Sequence, residues 1–337
     1  MILANIIPAQ QLNDRKTTNK RRLTKQQQNR INAKQNENLI LANGSEQNQG
    51  LLIASYGKYA DILTANNQIV RCTLRQNLPA LVVGDEIIWQ AEQAGLSVVT
   101  ALIPRKSELF RINYQQEKKL IAANLNQAII VMAVQPDFSE FVLDSYLAAM
   151  ALCNLKAMVV FNKIDLLNSQ QLEILHQRAK LYKEIGYEVY YLSCILEQGL
   201  SGLKTKLLDN ISAFIGPSGV GKSTLIKQFV PEESIVLGVI SEATNLGRHT
   251  TTTSHLYRLQ TGGVLIDSPG IRGFGLGKLA RQQLYHCFID IKPYKDLCKF
   301  RNCEHESEPD CALQQAVKTG KISLSRLNSF KKLMAAE

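Results

Sequence analysis

The chain has 337 residues, 45% of them hydrophobic, a length that allows two or three domains. Its formal net charge of +10 at pH 7 favours a polyanionic partner such as nucleic acid. The longest apolar run, residues 128–134, is far shorter than the roughly 20 residues of a membrane helix. Seven cysteines argue against a disulfide framework, and no secretory signal opens the sequence. We therefore expect a cytoplasmic protein without a membrane span.

Residues 1–38 form a basic arm with 8 Lys and Arg against 2 Asp and Glu. The arm also contains 13 Asn or Gln and few large apolar residues. It buries too little surface to offset the entropy lost on ordering, so we expect it to be disordered. Such an arm either neutralises RNA phosphates or acts as a solubilising tail, and both alternatives stay open.

Residues 39–103 are predicted to form a small β-barrel. The β-rich segments, separated by turn residues, lie at 51–56, 59–63, 69–74, 86–89 and 97–100. Lys58, Arg71 and Arg75 are candidates for an RNA-binding face, although isolated charges on strands are more often simply solvated.

Residues 104–277 alternate between strands and helices. The pattern predicts strands at 128–134, 158–161, 189–192 and 211–215 and helices at 139–153 and 170–185. This alternation is typical of a parallel, doubly wound α/β sheet, which binds ligands at the carboxyl ends of its strands.

The base loop, Asn162-Lys163-Ile164-Asp165, follows the second of these strands. A carboxylate at Asp165 can accept hydrogen bonds from N1–H and the exocyclic amine of guanine, which adenine does not offer. Lys163 would lie along the plane of the base, and Asn162 would brace the loop. By itself the motif is weak, and a capped loop is an equal alternative.

The phosphate loop connects the strand at 211–215 to a predicted helix. It matches the complete Gly-x4-Gly-Lys-Ser pattern and consists of Gly216, Pro217, Ser218, Gly219, Val220, Gly221, Lys222 and Ser223, followed by Thr224. Glycines let backbone N–H groups turn toward phosphate oxygens. Lys222 would reach the β- and γ-phosphates, and Ser223 would bind Mg²⁺.

Two further segments complete a guanine-nucleotide site. A strand at 263–266 leads into Asp267, predicted for the Mg²⁺ shell, and Gly270, whose N–H would meet the γ-phosphate. Ser193 and Cys194 fall where a GTPase contacts the guanine carbonyl. Because the base loop precedes the phosphate loop, the reverse of the order in ordinary small GTPases, the domain is predicted to be circularly permuted.

Residues 278–337 are predicted to form a mainly helical zinc-binding domain. Three thiols and one imidazole fall within fourteen residues, at Cys298, Cys303, His305 and Cys311. A closed set of four such ligands is typical of structural zinc. In the last helix, residues 324–334, Leu324, Leu327 and Phe330 predict a packing face opposite Arg326 and Lys331.

The reversed motif order, the run Arg248-His249-Thr250-Thr251-Thr252 and the Cys/His cluster together resemble the ribosome small subunit-dependent GTPase A family. The resemblance extends from about Gly50 to the C-terminus. It implies an OB-fold for the barrel, one structural zinc ion per chain and Mg²⁺ bound with GTP. It also implies the small ribosomal subunit and its rRNA as partner.

The residue after the Asp-x-x-Gly motif is Ile271, where many GTPases have a Gln that orients the attacking water. His249 is the best candidate for that catalytic role, and Thr251 or Thr252 would complete the Mg²⁺ shell with Ser223. An exposed loop histidine or an RNA contact is the alternative for His249.

We therefore expect a monomeric GTPase that hydrolyses GTP to GDP and phosphate and is stimulated by the small ribosomal subunit during its late maturation. The alternative is a GTP-gated RNA-binding module whose hydrolysis is incidental. A P-loop kinase is disfavoured because Asp165 selects guanine and no acceptor-substrate site is visible.

Overall fold

The structure is a computed structural model of the chain. It describes residues 48–76, 78–92, 96–112, 115–230, 255–259, 262–267, 276–277 and 279–335. The basic arm and the predicted residues His249, Thr251, Gly270 and Ile271 lie outside the described residues. Among the helices that are described, none combines the length and the apolar character needed to cross a membrane.

The first domain is a closed five-stranded barrel. Its strands are β1 (Asn48–Tyr56), β2 (Tyr59–Thr64), β3 (Ile69–Leu74), β4 (Glu86–Gln90) and β5 (Ser97–Leu102). They close in the order β1-β2-β3-β5-β4, with β3 and β5 parallel and the remaining pairs antiparallel. All five predicted strands are confirmed, and a closed five-stranded barrel is the architecture of an OB-fold.

One candidate for the RNA face of the barrel is already paired. The guanidinium of Arg71 donates to both carboxylate oxygens of Asp61 at 2.8 and 2.9 Å. Asp61 is buried, so this bidentate pair neutralises most of the charge that Arg71 would offer to a phosphate.

A hairpin that the sequence did not reveal follows the barrel. It consists of β6 (Glu108–Ile112) and β7 (Lys118–Ala123). The hairpin packs on the barrel, since the side-chain amide of Asn124 donates to the carbonyl of Gly84 at 2.8 Å. A Cβ atom on Gly84 would lie 2.2 Å from the carbonyl oxygen of Ala123, so this close approach requires glycine.

The central domain contains a six-stranded sheet. Its strands are β8 (Gln127–Ala133), β9 (Lys156–Asn162), β10 (Glu188–Leu192), β11 (Ile211–Ile215), β12 (His255–Arg258) and β13 (Val264–Asp267). The order is β10-β9-β8-β11-β13-β12, and all neighbours are parallel except β12 and β13. The antiparallel edge strand β12 departs from the purely parallel sheet that we predicted.

The helices of this domain are α1 (Glu140–Leu152), α2 (Ser169–Ile185), α3 (Leu200–Leu207) and α4 (Lys222–Phe229). Two of them begin at residues whose side chains cap the helix. Ser139 accepts from the backbone N–H of Val142, and Asn168 forms a reciprocal capping box with Gln171. Helix α3 was not predicted.

The C-terminal domain contains α5 (Arg281–Cys287), α6 (Ala312–Lys318) and α7 (Leu324–Met334), with a short 3-10 turn at Lys292–Tyr294. Helices α5 and α7 both pack against α1 of the central domain. Buried Leu327 and Phe330 confirm the predicted packing face, whereas Leu324 is exposed.

The prediction that Arg326 lies opposite the packing face of α7 did not reveal that this residue is buried. Its side chain is buried and forms ion pairs of 2.6 Å with Asp144 of α1 and 2.7 Å with Asp290. Asp144 also accepts from the hydroxyl of Tyr182 at 3.0 Å. A helical pattern alone does not reveal this role, because both carboxylates come from other segments of the chain.

Candidate functional site

The phosphate loop turns sharply between β11 and α4. Gly216, Gly219 and Gly221 all have positive φ angles, of 147°, 80° and 94°. A Cβ atom on Gly216 would lie 2.2 Å from the carbonyl oxygen of Val131, and one on Gly221 would lie 2.3 Å from the amide nitrogen of Asn162. At Gly216 glycine is required both by the backbone angle and by the backbone of the neighbouring strand β8. At Gly221 it is required by the backbone angle, and the side chain of Asn162 lies close by.

Lys222 lies inside this loop at the first position of α4. The residue is 8% exposed, and its ammonium group donates to the carbonyls of Gly216 at 2.7 Å and Pro217 at 2.5 Å. The charge is therefore held close to the loop backbone, where a bound phosphate chain would meet it. Ser218, Ser223 and Thr224 are exposed, while Val220 is buried.

The base loop contacts the phosphate loop directly. Asn162 donates through Nδ2 to the carbonyl of Val220 at 2.9 Å, and Lys163 donates through Nζ to the carbonyl of Gly219 at 2.7 Å. Lys163 has a φ of 68°, a left-handed conformation that turns the chain from β9 into the next segment. Two motifs that occur in reversed order along the chain thus form one continuous surface.

Asp165 lies in the 3-10 turn Ile164–Leu166 that continues the base loop. Its Oδ1 atom is buried, and within the described part of the chain it has no hydrogen-bond partner. A buried carboxylate oxygen without a donor is costly. It is the arrangement expected where a ligand, such as the Watson–Crick edge of guanine, supplies the missing donor.

Cys194 connects the segment after β10 to both loops. Its thiol donates to Oδ1 of Asn162 at 3.5 Å, and its carbonyl accepts from the side-chain amide of Gln228 in α4 at 3.0 Å. Burial raises the pKa of the Cys194 thiol, which keeps it a donor. The hydroxyl of the neighbouring Ser193 is buried and accepts from the N–H of Leu196 at 3.2 Å. The contact with Gln228 had no recognisable sequence signal.

Asp267 ends β13, next to the strand that leads into the phosphate loop. Ala213 of β11 pairs with Ile266, so the residues that follow each of them leave the sheet at the same edge. The predicted magnesium carboxylate therefore lies at the edge of the sheet from which the phosphate loop emerges. The remaining predicted contacts, through Gly270, Thr251 and His249, fall outside the described residues.

A second cluster brings together the four predicted zinc ligands. The ligand atoms of Cys298, Cys303, His305 and Cys311 lie within 4.8 Å of one another. His305 Nδ1 is 3.6, 3.4 and 3.3 Å from the sulfurs of Cys298, Cys303 and Cys311. Tetrahedral zinc, with Zn–S near 2.3 Å and Zn–N near 2.0 Å, requires ligand separations of about 3.6–3.8 Å. The spacing fits one zinc ion.

The protonation state of His305 also fits a metal ligand. Burial, together with nearby Arg281, lowers the pKa of His305 to about 4, so the ring is neutral and can offer a lone pair. Burial and the neighbouring thiols raise the pKa of Cys303 to about 12. A divalent cation bound by these sulfurs would stabilise their thiolate forms.

Comparison with known proteins identifies the family of this chain. The profile of the family described as RsgA GTPase matches residues 102–277. A protein of Shewanella oneidensis named Small ribosomal subunit biogenesis GTPase RsgA is 40% identical over 299 residues, covering 87% of this chain and 84% of that protein. Its namesake in Actinobacillus pleuropneumoniae is 39% identical over 326 residues, covering 94% and 95%.

Two solved structures share the fold. YjeQ from Thermotoga maritima has a TM-score of 0.69 at 26% identity, covering 86% of this chain and 98% of that one. YloQ, described as a circularly permuted GTPase, has a TM-score of 0.68 at 27% identity, covering 86% and 94%. With the loops in permuted order and this similarity over most of its length, the chain belongs to the RsgA GTPase family of GTP-hydrolysing enzymes.

Proposed function

We propose that this GTPase is stimulated by the small ribosomal subunit and acts late in the maturation of that subunit through contacts with its rRNA. The direct contact between base loop and phosphate loop carries the nucleotide part of the proposal. The partner is supported by the relatives, whose names describe biogenesis of the small ribosomal subunit.

In the proposed GTP complex, the N–H groups of the phosphate loop and Lys222 hold the phosphates, and Asp165 reads guanine. Ser223, Thr251 and Asp267 are the proposed Mg²⁺ ligands, directly or through water, and the ion would neutralise charge on the β- and γ-phosphates. Asn162 and Lys163 fix the loop around the base. Cys194 contacts Asn162 and lies in the segment that we propose to contact the guanine carbonyl. His249 positions the attacking water, because Ile271 has no polar group.

The other parts of the chain receive distinct proposed roles. Residues 39–103 bind rRNA, where Lys58 and Arg75 remain candidates for phosphate contacts after Arg71 is paired with Asp61. Residues 104–277 bind and hydrolyse GTP, and residues 278–337 are held by one structural zinc ion. The protein acts as a monomer in the cytoplasm, and the basic arm 1–38 adds affinity for RNA.

The proposal is tested by measuring GTP turnover by the purified full chain with and without small ribosomal subunits. Strong stimulation is expected, and large subunits serve as the control for a general effect of RNA. Equal turnover in all three conditions, with subunit binding still dependent on GTP, would instead support the RNA-binding module whose hydrolysis is incidental.

The His249→Ala variant should bind GTP almost normally but lose subunit-stimulated hydrolysis by roughly 10²-fold or more, if this residue positions the nucleophile. Steady-state turnover with small subunits and equilibrium GTP binding are measured together. His176→Ala, at a histidine of α2 that packs on Tyr191, is the control. Stimulated turnover that survives while subunit association weakens would make His249 a recognition residue.

The Asp165→Asn variant should shift preference from guanine toward xanthine nucleotides. The amide presents a donor where the carboxylate accepted, and xanthine has a carbonyl where guanine has its amine. Competition of GTP and xanthosine triphosphate for the variant measures the shift. Unchanged affinity for GTP would remove Asp165 from the base site.

A further inference from the structure

The far side of the zinc-ligand cluster is covered by helix α5. Arg281 and Tyr285 are four residues apart on this helix, so their side chains share one face. The hydroxyl oxygen of Tyr285 lies 2.9 Å from Nε2 of His305, and an amino group of Arg281 lies 3.0 Å from the same atom. The three cysteine sulfurs face the opposite nitrogen of the ring.

The two ring nitrogens of His305 therefore have different tasks. A ring that offers the Nδ1 lone pair to a metal carries its hydrogen on Nε2 and must donate that hydrogen. Arg281 has no acceptor atom, so the phenol oxygen of Tyr285 is the acceptor in reach. Arg281 instead donates to the carbonyl of Cys303 and to the Tyr285 oxygen.

The surroundings keep water from replacing this acceptor. His305 is 1% exposed and Tyr285 is 5% exposed. Phe330 of α7 packs against both rings, with centroids 6.1 and 4.9 Å away. A buried N–H that lost its acceptor would have no partner, which is unfavourable.

We propose that Tyr285 is a positioning residue for the metal site: it accepts the Nε2–H of His305 and so fixes the tautomer that presents Nδ1 to zinc. Arg281 holds the loop that contains Cys303 by donating a hydrogen bond to the carbonyl of that residue. The inference rests on the proposed zinc site and extends it to a residue outside the Cys/His motif. It makes α5, which directly follows the GTPase segment, a structural part of the metal centre.

Zinc affinity of the full chain, measured by competition with a chromophoric chelator, tests this role. The Tyr285→Phe variant keeps the ring and removes the acceptor, and it should bind zinc about 10- to 100-fold more weakly. Tyr294→Phe, at a tyrosine of the neighbouring 3-10 turn, is the control and should match the unmodified protein.

A second background separates positioning from packing. His305→Cys replaces the imidazole by a fourth thiolate, which has no N–H to donate, so adding Tyr285→Phe there should weaken zinc binding no further. An equal loss in both backgrounds would show a packing role and overturn the proposal. Unchanged affinity of Tyr285→Phe, with one zinc bound, would also overturn it. An unmodified protein that binds no zinc would instead contradict the metal site itself.

Discussion

The Lys222→Ala variant is expected to lose productive GTP binding. The ammonium group is held 2.5–2.7 Å from the carbonyls of Pro217 and Gly216, at the centre of the phosphate loop. A hydrogen bond to a charged group contributes about 1.5–3 kcal/mol, and Lys222 would serve two phosphates. We therefore expect GTP affinity to fall by roughly 10²-fold or more, as measured by equilibrium binding of a fluorescent GTP analogue.

The matched control for this experiment is Lys227→Ala, at an exposed lysine near the other end of the same helix. It removes the same charge without touching the loop and should leave binding unchanged. Equal losses in the two variants would indicate a general effect of net charge, and normal turnover by Lys222→Ala would refute the phosphate-loop assignment.

The Arg326→Met variant is expected to destabilise the chain by about 3–5 kcal/mol, because it leaves the buried carboxylate of Asp144 and the partly buried carboxylate of Asp290 without their cation. Urea unfolding of the zinc-loaded protein measures the loss. Lys331, on the same helix as Arg326, forms a partly exposed ion pair with Glu306, and Lys331→Met should cost no more than about 1 kcal/mol. Similar losses in both variants would contradict a special role for the buried pair.

The decrease in the free energy of unfolding caused by Arg326→Met should also depend on pH. Burial raises the pKa of Asp144, and Arg326 opposes that rise. Without Arg326 the folded-state pKa rises further, so the folded variant takes up a proton that the unfolded chain does not bind. Its stability therefore falls as pH rises through the folded pKa. The variant should therefore lose less stability near pH 5 than near pH 8. Adding Asp144→Asn to Arg326→Met should remove most of this pH dependence.

Local signals explain why most elements could be predicted. The helices α1 and α2 were predicted from the alternation of strand and helix patterns, and the structure shows that Ser139 and Asn168 cap their first turns by bonding backbone N–H groups. The strands of the barrel were predicted from turn residues such as Gly57, whose φ is 64°. These signals act over a few residues and depend little on the rest of the fold.

The elements that were missed depend on tertiary contacts. The β6–β7 hairpin carries charged residues on short strands and lies against the barrel and α1, where Cys153 donates to the carbonyl of Phe110 at 3.7 Å. Helix α3 has eight residues and contains Gly202, so its local preference for helix is weak. Arg326 was placed opposite the packing face because its two partners, Asp144 and Asp290, are distant in sequence.

The sequence by itself determined which ligand classes we predict, a guanine nucleotide and a structural zinc ion, since eight consecutive residues of the phosphate loop and four closely spaced Cys and His residues form local motifs. Only the tertiary structure decided how these pieces meet. Asn162 contacts Val220 across 58 residues, and Arg326 contacts Asp144 across 182. Such pairs form because strand order and helix packing bring the segments together, and no local propensity encodes that geometry.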